Sequence, residues 1–215
     1  MLATGDMLRY YAERAGEYER IYRRPERQAD LARFESAVET AFSGRRVLDI
    51  ACGTGYFSAC AARRAESLDG VDANEETLEL ARAKGIARAT FRTGDAYALG
   101  TPARPYTGVL CTFWWSHVPR SRLEAFLLGV QRQVAPGAVV LFADNTYVEG
   151  SSTPLARSDA EGNTYQRRRL DSGASYEVLK NFPAAAELVG WAIRFGAAVE
   201  LRQLTHYWML RYRAR

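Results

Sequence analysis

The run VLDIACGTGYFS, from Val47 to Ser58, decides the fold of this chain. It begins as an apolar segment that carries one carboxylate, Asp49, and passes directly into a loop with two glycines, Gly53 and Gly55. Glycine lets the backbone turn sharply and approach a ligand closely, because no Cβ is in the way. We therefore predict a buried strand, a ligand-binding loop and a helix that begins just past the glycines.

Strand-like and helix-like segments alternate on the C-terminal side of this run. The predicted strands are RVLDI, SLDGVD, ATFRTGD, YTGVLCTFW and GAVVLFADN, and helical periodicity separates most of them. Such alternation builds a parallel sheet. Two further strands, AVELRQLT and YWMLRYRA, are too close in sequence for a crossover and must pair antiparallel. The predicted fold class is α/β: a Rossmann-like doubly wound sheet of seven strands, mostly parallel with an antiparallel final strand, and helices on both faces.

The chain divides into four segments of one domain. Residues 1–43 are predicted to be helical, with a break at Pro25, and residues 44–145 hold the alternating core. Residues 146–183 form an insertion in which NTYQRRRL and SYEVLKN flank DSG and predict a hairpin. Residues 184–215 supply a helix and the antiparallel strand pair. The insertion follows the fifth strand at its carboxyl end, where open α/β sheets bind ligands.

Composition narrows the class of protein. The 215 residues are 47% apolar and 25% charged, which is typical of a soluble globular protein. No apolar run is long enough to cross a bilayer, and the N-terminal residues lack the apolar core of a signal peptide, so we expect a cytoplasmic protein without a membrane partner. Three cysteines without a C-x-x-C pair and only two histidines predict no metal site.

Net charge is +4, but the basic residues are scattered along the chain, so a nucleic-acid partner is not favoured.

The chemistry of the glycine loop indicates which ligand it binds. A dinucleotide fingerprint, G-x-G-x-x-G, needs glycine at position 58, where this chain has Ser58. Asp49 would repel a pyrophosphate and attract an ammonium or a sulfonium. Asp72 ends the next strand, where a carboxylate suits a ribose diol, and Asp95 with Ala96 ends the third, where an adenine edge would lie. Each acid alone could instead cap a helix, but together with the loop they predict S-adenosylmethionine (SAM) as the cofactor.

These residues also carry a family resemblance. The chain resembles the class I SAM-dependent methyltransferases of the small-molecule type, strongly from about Val47 to Asn145 and by layout elsewhere. VLDIACGTG is similar to the family's first motif, except that Ala51 stands where a glycine often occurs. The cofactor contacts predicted on this basis are Asp49, Ala51, Gly53, Gly55, Asp72, Ala73, Asp95, Ala96 and Phe113.

The N-terminal segment resembles the helical lid that covers the cofactor in such methyltransferases. Tyr11 and Tyr18 are seven residues apart and share one helix face, and we predict that they contact the cofactor. Amphipathic packing against the sheet explains the same spacing.

The segment TFWWSHVP follows the fourth strand on the methyl-donor side. His117 is the candidate general base there, or else a residue that only caps the turn before Pro119. Trp114 and Trp115 are candidate walls of the substrate pocket, although strand alternation would send one of them into the core. Asn145 and Tyr147 are predicted to shape the acceptor pocket.

Three consecutive arginines, Arg167 to Arg169, could bind an acidic acceptor or form a solvated strand edge.

The predicted function is methyl transfer from SAM to an oxygen, nitrogen or carbon of a small metabolite. One alternative is an RNA or other nucleic-acid methyltransferase; enzymes that act on exocyclic base amines carry an Asn/Asp-Pro-Pro-aromatic motif where this chain has FWWS. Another is a SAM-binding module without catalysis. The sequence is compatible with a monomer or a homodimer.

Overall fold

The computed structural model describes residues 2–215, and side chains from residue 5 onward. The α-helices are α1 Leu2–Arg14, α2 Gln28–Ala41, α3 Tyr56–Ala62, α4 Glu75–Ala83, α5 Leu123–Gln131 and α6 Ala185–Phe195. The strands are β1 Arg46–Ile50, β2 Ser67–Asp72, β3 Ala89–Thr93, β4 Tyr106–Thr112, β5 Val134–Asn145, β6 Leu155–Ser158, β7 Thr164–Arg169, β8 Ser175–Leu179, β9 Gly196–Gln203 and β10 Tyr207–Ala214. Within this range no helix is both long and apolar enough to span a membrane.

Seven strands form the central sheet in the order β3-β2-β1-β4-β5-β10-β9. β1 to β5 run parallel, and β10 runs antiparallel to both of its neighbours, as predicted. β1 is central: Asp49 is level with Gly70 of β2 and Leu110 of β4. The carboxyl ends of β1 to β5 therefore meet at one edge of the sheet, which is where open α/β sheets bind ligands.

Two apolar clusters lie on the two faces of this sheet. Successive residues of a strand point to opposite faces, and accordingly Leu48 and Val109 belong to one cluster while Val47 and Leu110 belong to the other. All four side chains are fully buried. The sheet is thus covered on both faces, as a parallel sheet must be.

The insertion holds three strands rather than the predicted two. β7 and β8 form the expected hairpin, and β6 pairs antiparallel with the free edge of β7. β6 is short and its four residues are exposed, so it lacks the alternation of apolar and polar residues by which a strand is recognised.

The N-terminal segment, which was predicted to be helical, contains two types of helix. The chain is α-helical to Arg14 and then 3₁₀-helical from Ala15 to Arg23, with a further short 3₁₀ turn at Pro25–Arg27. α1 packs on the insertion through Met7 and Tyr10, which lie against Leu170 and Val178. The N-terminal segment therefore joins the small sheet to the rest of the molecule.

Candidate active site

The glycine loop has the left-handed backbone that its sequence predicts. Residues Ala51, Gly53 and Gly55 have φ values of 55°, 53° and 74°. A side chain at Gly55 would place its Cβ 3.0 Å from the Cβ of Ala81, so glycine is needed there for space as well as for conformation. Ala51 adopts a left-handed conformation that is less favourable for alanine than for glycine. The methyltransferases that this chain resembles often have glycine at this position.

Phe113 is a second strained residue at the same edge of the sheet. Its φ of 59° ends β4, which was predicted to continue to Trp114. Its N–H donates to the carbonyl of Ala143 at 2.7 Å, and its ring is buried. The turn directs the following residues away from the sheet and into a 3₁₀ turn, Trp115–His117.

A cavity of about 440 Å³ lies at the carboxyl edge of the sheet, beneath the N-terminal segment. Most of the predicted cofactor contacts line it together with Trp114 and His117. These residues are Tyr11, Tyr18, Ala51, Gly53, Asp72, Ala73, Asp95, Ala96 and Phe113. Other lining residues were not predicted, among them Met7, Val71, Tyr97 and Arg122. We refer to this space as the cofactor cavity.

Two of the acids line the cofactor cavity and also hold backbone. Asp72 accepts hydrogen bonds from the N–H of Gly53 at 2.8 Å and of Asn74 at 3.0 Å. Asp95 accepts one from the N–H of Tyr97 at 2.8 Å. Burial raises the pKa of Asp72 above its ordinary value, and the hydrogen bonds that it accepts oppose this rise. Neither acid is a helix N-cap, since Asn74 is the N-cap of α4 and no helix begins at Asp95. Their hydrogen bonds go to loop and turn N–H groups and are compatible with ligand binding by the same side chains.

Asp49 and Gly55 lie behind the lining of the cofactor cavity. Asp49 is 1% exposed, and it accepts a hydrogen bond from the Ser58 hydroxyl at 2.5 Å. Burial raises the pKa of Asp49 to about 7, against the lowering effect of Ser58. Asp49 thus connects the end of β1 to the first turn of α3, which flank the glycine loop, and a role in attracting a cation would act through the floor of the cavity.

His117 and Tyr11 form a hydrogen-bonded pair at the end of the cofactor cavity. His117 Nε2 is 2.8 Å from the Tyr11 hydroxyl, and His117 Nδ1 is 2.6 Å from the carbonyl oxygen of Leu179. A carbonyl only accepts, so Nδ1 carries the proton and Nε2 accepts from Tyr11. Burial, with the nearby charges of Lys180 and Arg168, lowers the pKa of His117 well below its ordinary value. The imidazole is therefore neutral at pH 7, with its lone pair directed at Tyr11.

A buried charge pair lies directly beneath this histidine. Lys180 Nζ donates to Asp144 Oδ1 at 2.7 Å and to the Ser116 hydroxyl at 2.6 Å, and the N–H of Ser116 donates to Asp144 Oδ2 at 3.0 Å. Burial lowers the pKa of Lys180 to about 8, and Asp144 opposes that shift. The pair connects the end of β5 to the end of β8 and fixes the residue that precedes His117.

A second cavity, of about 370 Å³, meets the first at this point. The two share Tyr11, Tyr18, Phe113 and His117. We call the second space the acceptor cavity, after the role that we propose for it. It is lined further by Asn145, by Arg167 to Arg169, and by residues that the sequence analysis did not single out, including Arg14, Arg27, Gln166 and Lys180.

The remaining predicted pocket residues lie elsewhere. Trp115 is 3% exposed and packs edge-on against Phe142 and Trp208 in the core, so it is not a wall of the substrate pocket. One tryptophan of the pair was expected in the core, but Trp115 lies in the 3₁₀ turn after β4, so strand alternation is not the cause of its burial. Trp114 lines the cofactor cavity rather than the acceptor cavity. Tyr147 lines neither cavity and packs against Phe182, which lines the acceptor cavity.

Known proteins are similar to this chain in sequence and in fold. A family model described as "Methyltransferase domain" matches residues 47–137. The ubiquinone biosynthesis O-methyltransferase of Leptothrix cholodnii is 30% identical over 179 residues, which are 77% of this chain and 72% of that protein. The enzyme of the same name from Klebsiella pneumoniae is 29% identical over 153 residues, 69% of this chain, and the match spans 60% of its length.

A solved structure described as the DhpI-SAM-HEP complex is similar over nearly the whole chain. It is 29% identical, covers 98% of this chain and 97% of its own, and superposes with a TM-score of 0.81. The loop, the sheet order and these likenesses agree, and the chain belongs to the class I SAM-dependent methyltransferases.

Proposed function

We propose that this protein transfers the methyl group of SAM to a small-molecule acceptor. The observation that supports the proposal is that the two cavities meet at Tyr11 and His117, where Nε2 of the imidazole accepts a hydrogen bond from the Tyr11 hydroxyl. The names of the curated relatives favour an oxygen nucleophile over nitrogen or carbon.

The cofactor cavity fits SAM by its chemistry. The carboxylates of Asp72 and Asp95 offer acceptors for hydroxyl and amino groups, while Val71, Ala96 and Trp114 give an apolar wall for a purine. Their backbone contacts leave oxygen lone pairs free, since an ionised carboxylate offers about four acceptor sites. When bound, SAM supplies an electrophilic methyl group on a sulfonium.

The residues of this chain position the acceptor and remove its proton. An acceptor hydroxyl in the acceptor cavity would donate to the Tyr11 oxygen while Tyr11 donates its own proton to His117 Nε2, so that the proton reaches the imidazole as the O–CH₃ bond forms and the S–CH₃ bond breaks. Leu179 keeps Nδ1 protonated and Nε2 free. Positioning supplies the larger part of such a displacement, and general-base catalysis adds about 10²- to 10⁴-fold.

The test is incubation with methyl-labelled SAM and a metabolite extract, followed by fractionation of the label. Label in a small product supports the proposal. Label in RNA or DNA would assign the chain to nucleic-acid methylation instead. Tight SAM binding without label in any product, across varied extracts, would identify a binding module.

His117→Ala should retain SAM affinity and lose turnover, about 10²-fold or more, because the base is removed while the lining of the cofactor cavity is nearly intact. Calorimetry measures the affinity and single-turnover kinetics the chemistry. The matched control is His206→Ala, which changes the other histidine, outside both cavities, and should leave turnover unchanged. If His117→Ala turns over like the parent protein, His117 is structural or the acceptor needs no base.

A further inference from the structure

The lining of the acceptor cavity is strongly basic. Seven arginines and Lys180 contribute to it, against two acidic residues, Glu17 and Asp171. Eight positive and two negative side chains leave an excess of six positive charges around about 370 Å³. Like charges gathered in one concave space repel each other and raise the local concentration of anions. Such a lining favours a negatively charged occupant.

Some of these cations already have partners. Lys180 is paired with Asp144, and Arg20 with Asp171. Among residues 5–215, however, no carboxylate lies within ion-pair distance of the guanidinium of Arg27 or of Arg168, whose hydrogen bonds go to neutral oxygens. These two positive charges therefore have no counter-ion within the described part of the protein.

Arg168 is held in place by neutral groups. Its Nη2 and Nε donate to Gln166 Oε1 at 2.8 and 3.3 Å, and its Nη1 donates to the Tyr11 hydroxyl at 3.2 Å. Three of the five N–H groups of the guanidinium are thereby used, and two are left for a ligand. A guanidinium fixed in this way is preorganised to bind carboxylate or phosphoryl oxygens.

Arg27 is the more deeply buried of the two, at 9% exposed. Its Nη1 and Nη2 make only long hydrogen bonds, to Asn145 Oδ1 at 3.4 Å and to the Ser151 hydroxyl at 3.3 Å. Its Nε is fully buried and has no hydrogen-bond partner among the described residues. A buried charge without a counter-ion is costly, so a ligand that brings negative charge would stabilise this side chain.

The position of Arg168 connects this basic lining to the reaction. Its partner Tyr11 is the residue that contacts His117 Nε2. Only the Tyr11 side chain would therefore separate an anion bound by Arg168 from the proposed base, His117. A small metabolite is long enough to span this separation.

We propose, building on the methyl transfer described above, that the acceptor is a small anionic molecule whose carboxylate or phosphoryl group is bound in the acceptor cavity by Arg168 and Arg27. The guanidinium groups hold the charged end of the acceptor, and Tyr11 and His117 meet its nucleophile.

The proposal is tested on the full chain saturated with S-adenosylhomocysteine, the demethylated product of SAM. Inorganic phosphate and malonate are titrated into this complex, and tryptophan fluorescence or calorimetry follows binding. We expect at least one of them to bind, and the stronger of the two distinguishes a phosphoryl from a carboxylate acceptor.

Arg168→Gln should weaken this binding about ten-fold or more, since it removes a charge-assisted contact, while the affinity for S-adenosylhomocysteine stays within about two-fold and shows that the variant is folded. The matched control is Arg157→Gln, which changes an arginine of the same small sheet that pairs with Glu177 outside the cavity. It should bind the anion as the parent protein does.

Equal anion binding in the parent protein and in Arg168→Gln would overturn the proposal, as would binding of neither probe. A second measurement uses labelled SAM with a metabolite extract divided on an anion exchanger. Methyl acceptance in the retained fraction supports an anionic acceptor, and acceptance confined to the unretained fraction contradicts it. Loss of S-adenosylhomocysteine binding by the parent protein would instead contradict the proposed function, so the two failures are distinguishable.

Discussion

Some residues at the carboxyl edge of the sheet both hold the protein backbone and line the cofactor cavity, and Asp72 shows this most clearly. One of its oxygens accepts from Gly53 in the glycine loop and the other from Asn74, just before α4. The side chain therefore fixes the loop to the tip of β2 and at the same time lines the cofactor cavity. A carboxylate in this position can hold the protein's backbone and a ligand hydroxyl together, because each oxygen has two lone pairs.

Asp72→Ala should weaken SAM binding about ten-fold or more, because it removes a charge-assisted contact to the ligand and releases Gly53. Isothermal calorimetry with SAM measures the dissociation constant. Asp69→Ala is the control: this acid lies on the same strand, and its side chain bonds Thr90 and Tyr106 outside both cavities. An unchanged affinity in Asp72→Ala would mean that the tip of β2 does not hold the ligand.

At the scale of secondary structure, the elements that could be predicted are those with one buried face, because burial makes their apolar residues recur with the period of a helix or a strand. β1 and β2 begin and end where expected, and the hairpin of β7 and β8 is confirmed. β6 was missed because nothing buries it.

The candidate site was predictable only in part. Residues next to the glycine loop and at the strand tips could be found, because parallel strands must end at one edge. Arg27 and Lys180 could not, since they come from segments far apart in sequence and both reach the acceptor cavity at the end of β5, Arg27 through Asn145 and Lys180 through Asp144.

The insertion is tied to the main sheet by the buried pair of Lys180 and Asp144. Both side chains are almost completely buried, and each is at the end of a strand from a different sheet. Breaking such a pair by removing one partner costs more than replacing both, because the remaining charge stays buried. The pair therefore sets how β8, and with it Leu179, is placed against His117.

Lys180→Met should lower the free energy of unfolding by about 3 kcal/mol, because Asp144 keeps its hydrogen bonds to Ser116 and Asn145 but loses its counter-ion. Thermal unfolding should show a fall of about 6 to 12 °C in the midpoint for a protein of this size. The double variant Lys180→Met/Asp144→Asn should recover part of this loss. A single variant as stable as the parent, or a double variant less stable than the single, would contradict the pairing.

At the scale of the whole molecule, the N-terminal segment closes both cavities. Met7, Tyr11 and Tyr18 line the cofactor cavity, and Arg14 lines the acceptor cavity. The segment is attached to the core through Glu19, which accepts a hydrogen bond from the Thr54 hydroxyl at 2.6 Å and pairs with Lys84. Because residues of this segment form walls of both cavities, we expect its local stability to depend on what is bound.

Binding of S-adenosylhomocysteine should slow amide hydrogen exchange in residues 5–24, because the ligand adds contacts to the closed arrangement of that segment and opposes its local opening. Exchange followed by mass spectrometry measures this, and α6 is the internal control, since none of its residues lines either cavity. Glu19→Gln should raise exchange in the same segment before ligand is added, because it weakens the attachment to Thr54 and Lys84. Equal exchange in residues 5–24 with and without ligand, while α6 also stays constant, would show that the segment is a fixed wall rather than a cover that opens.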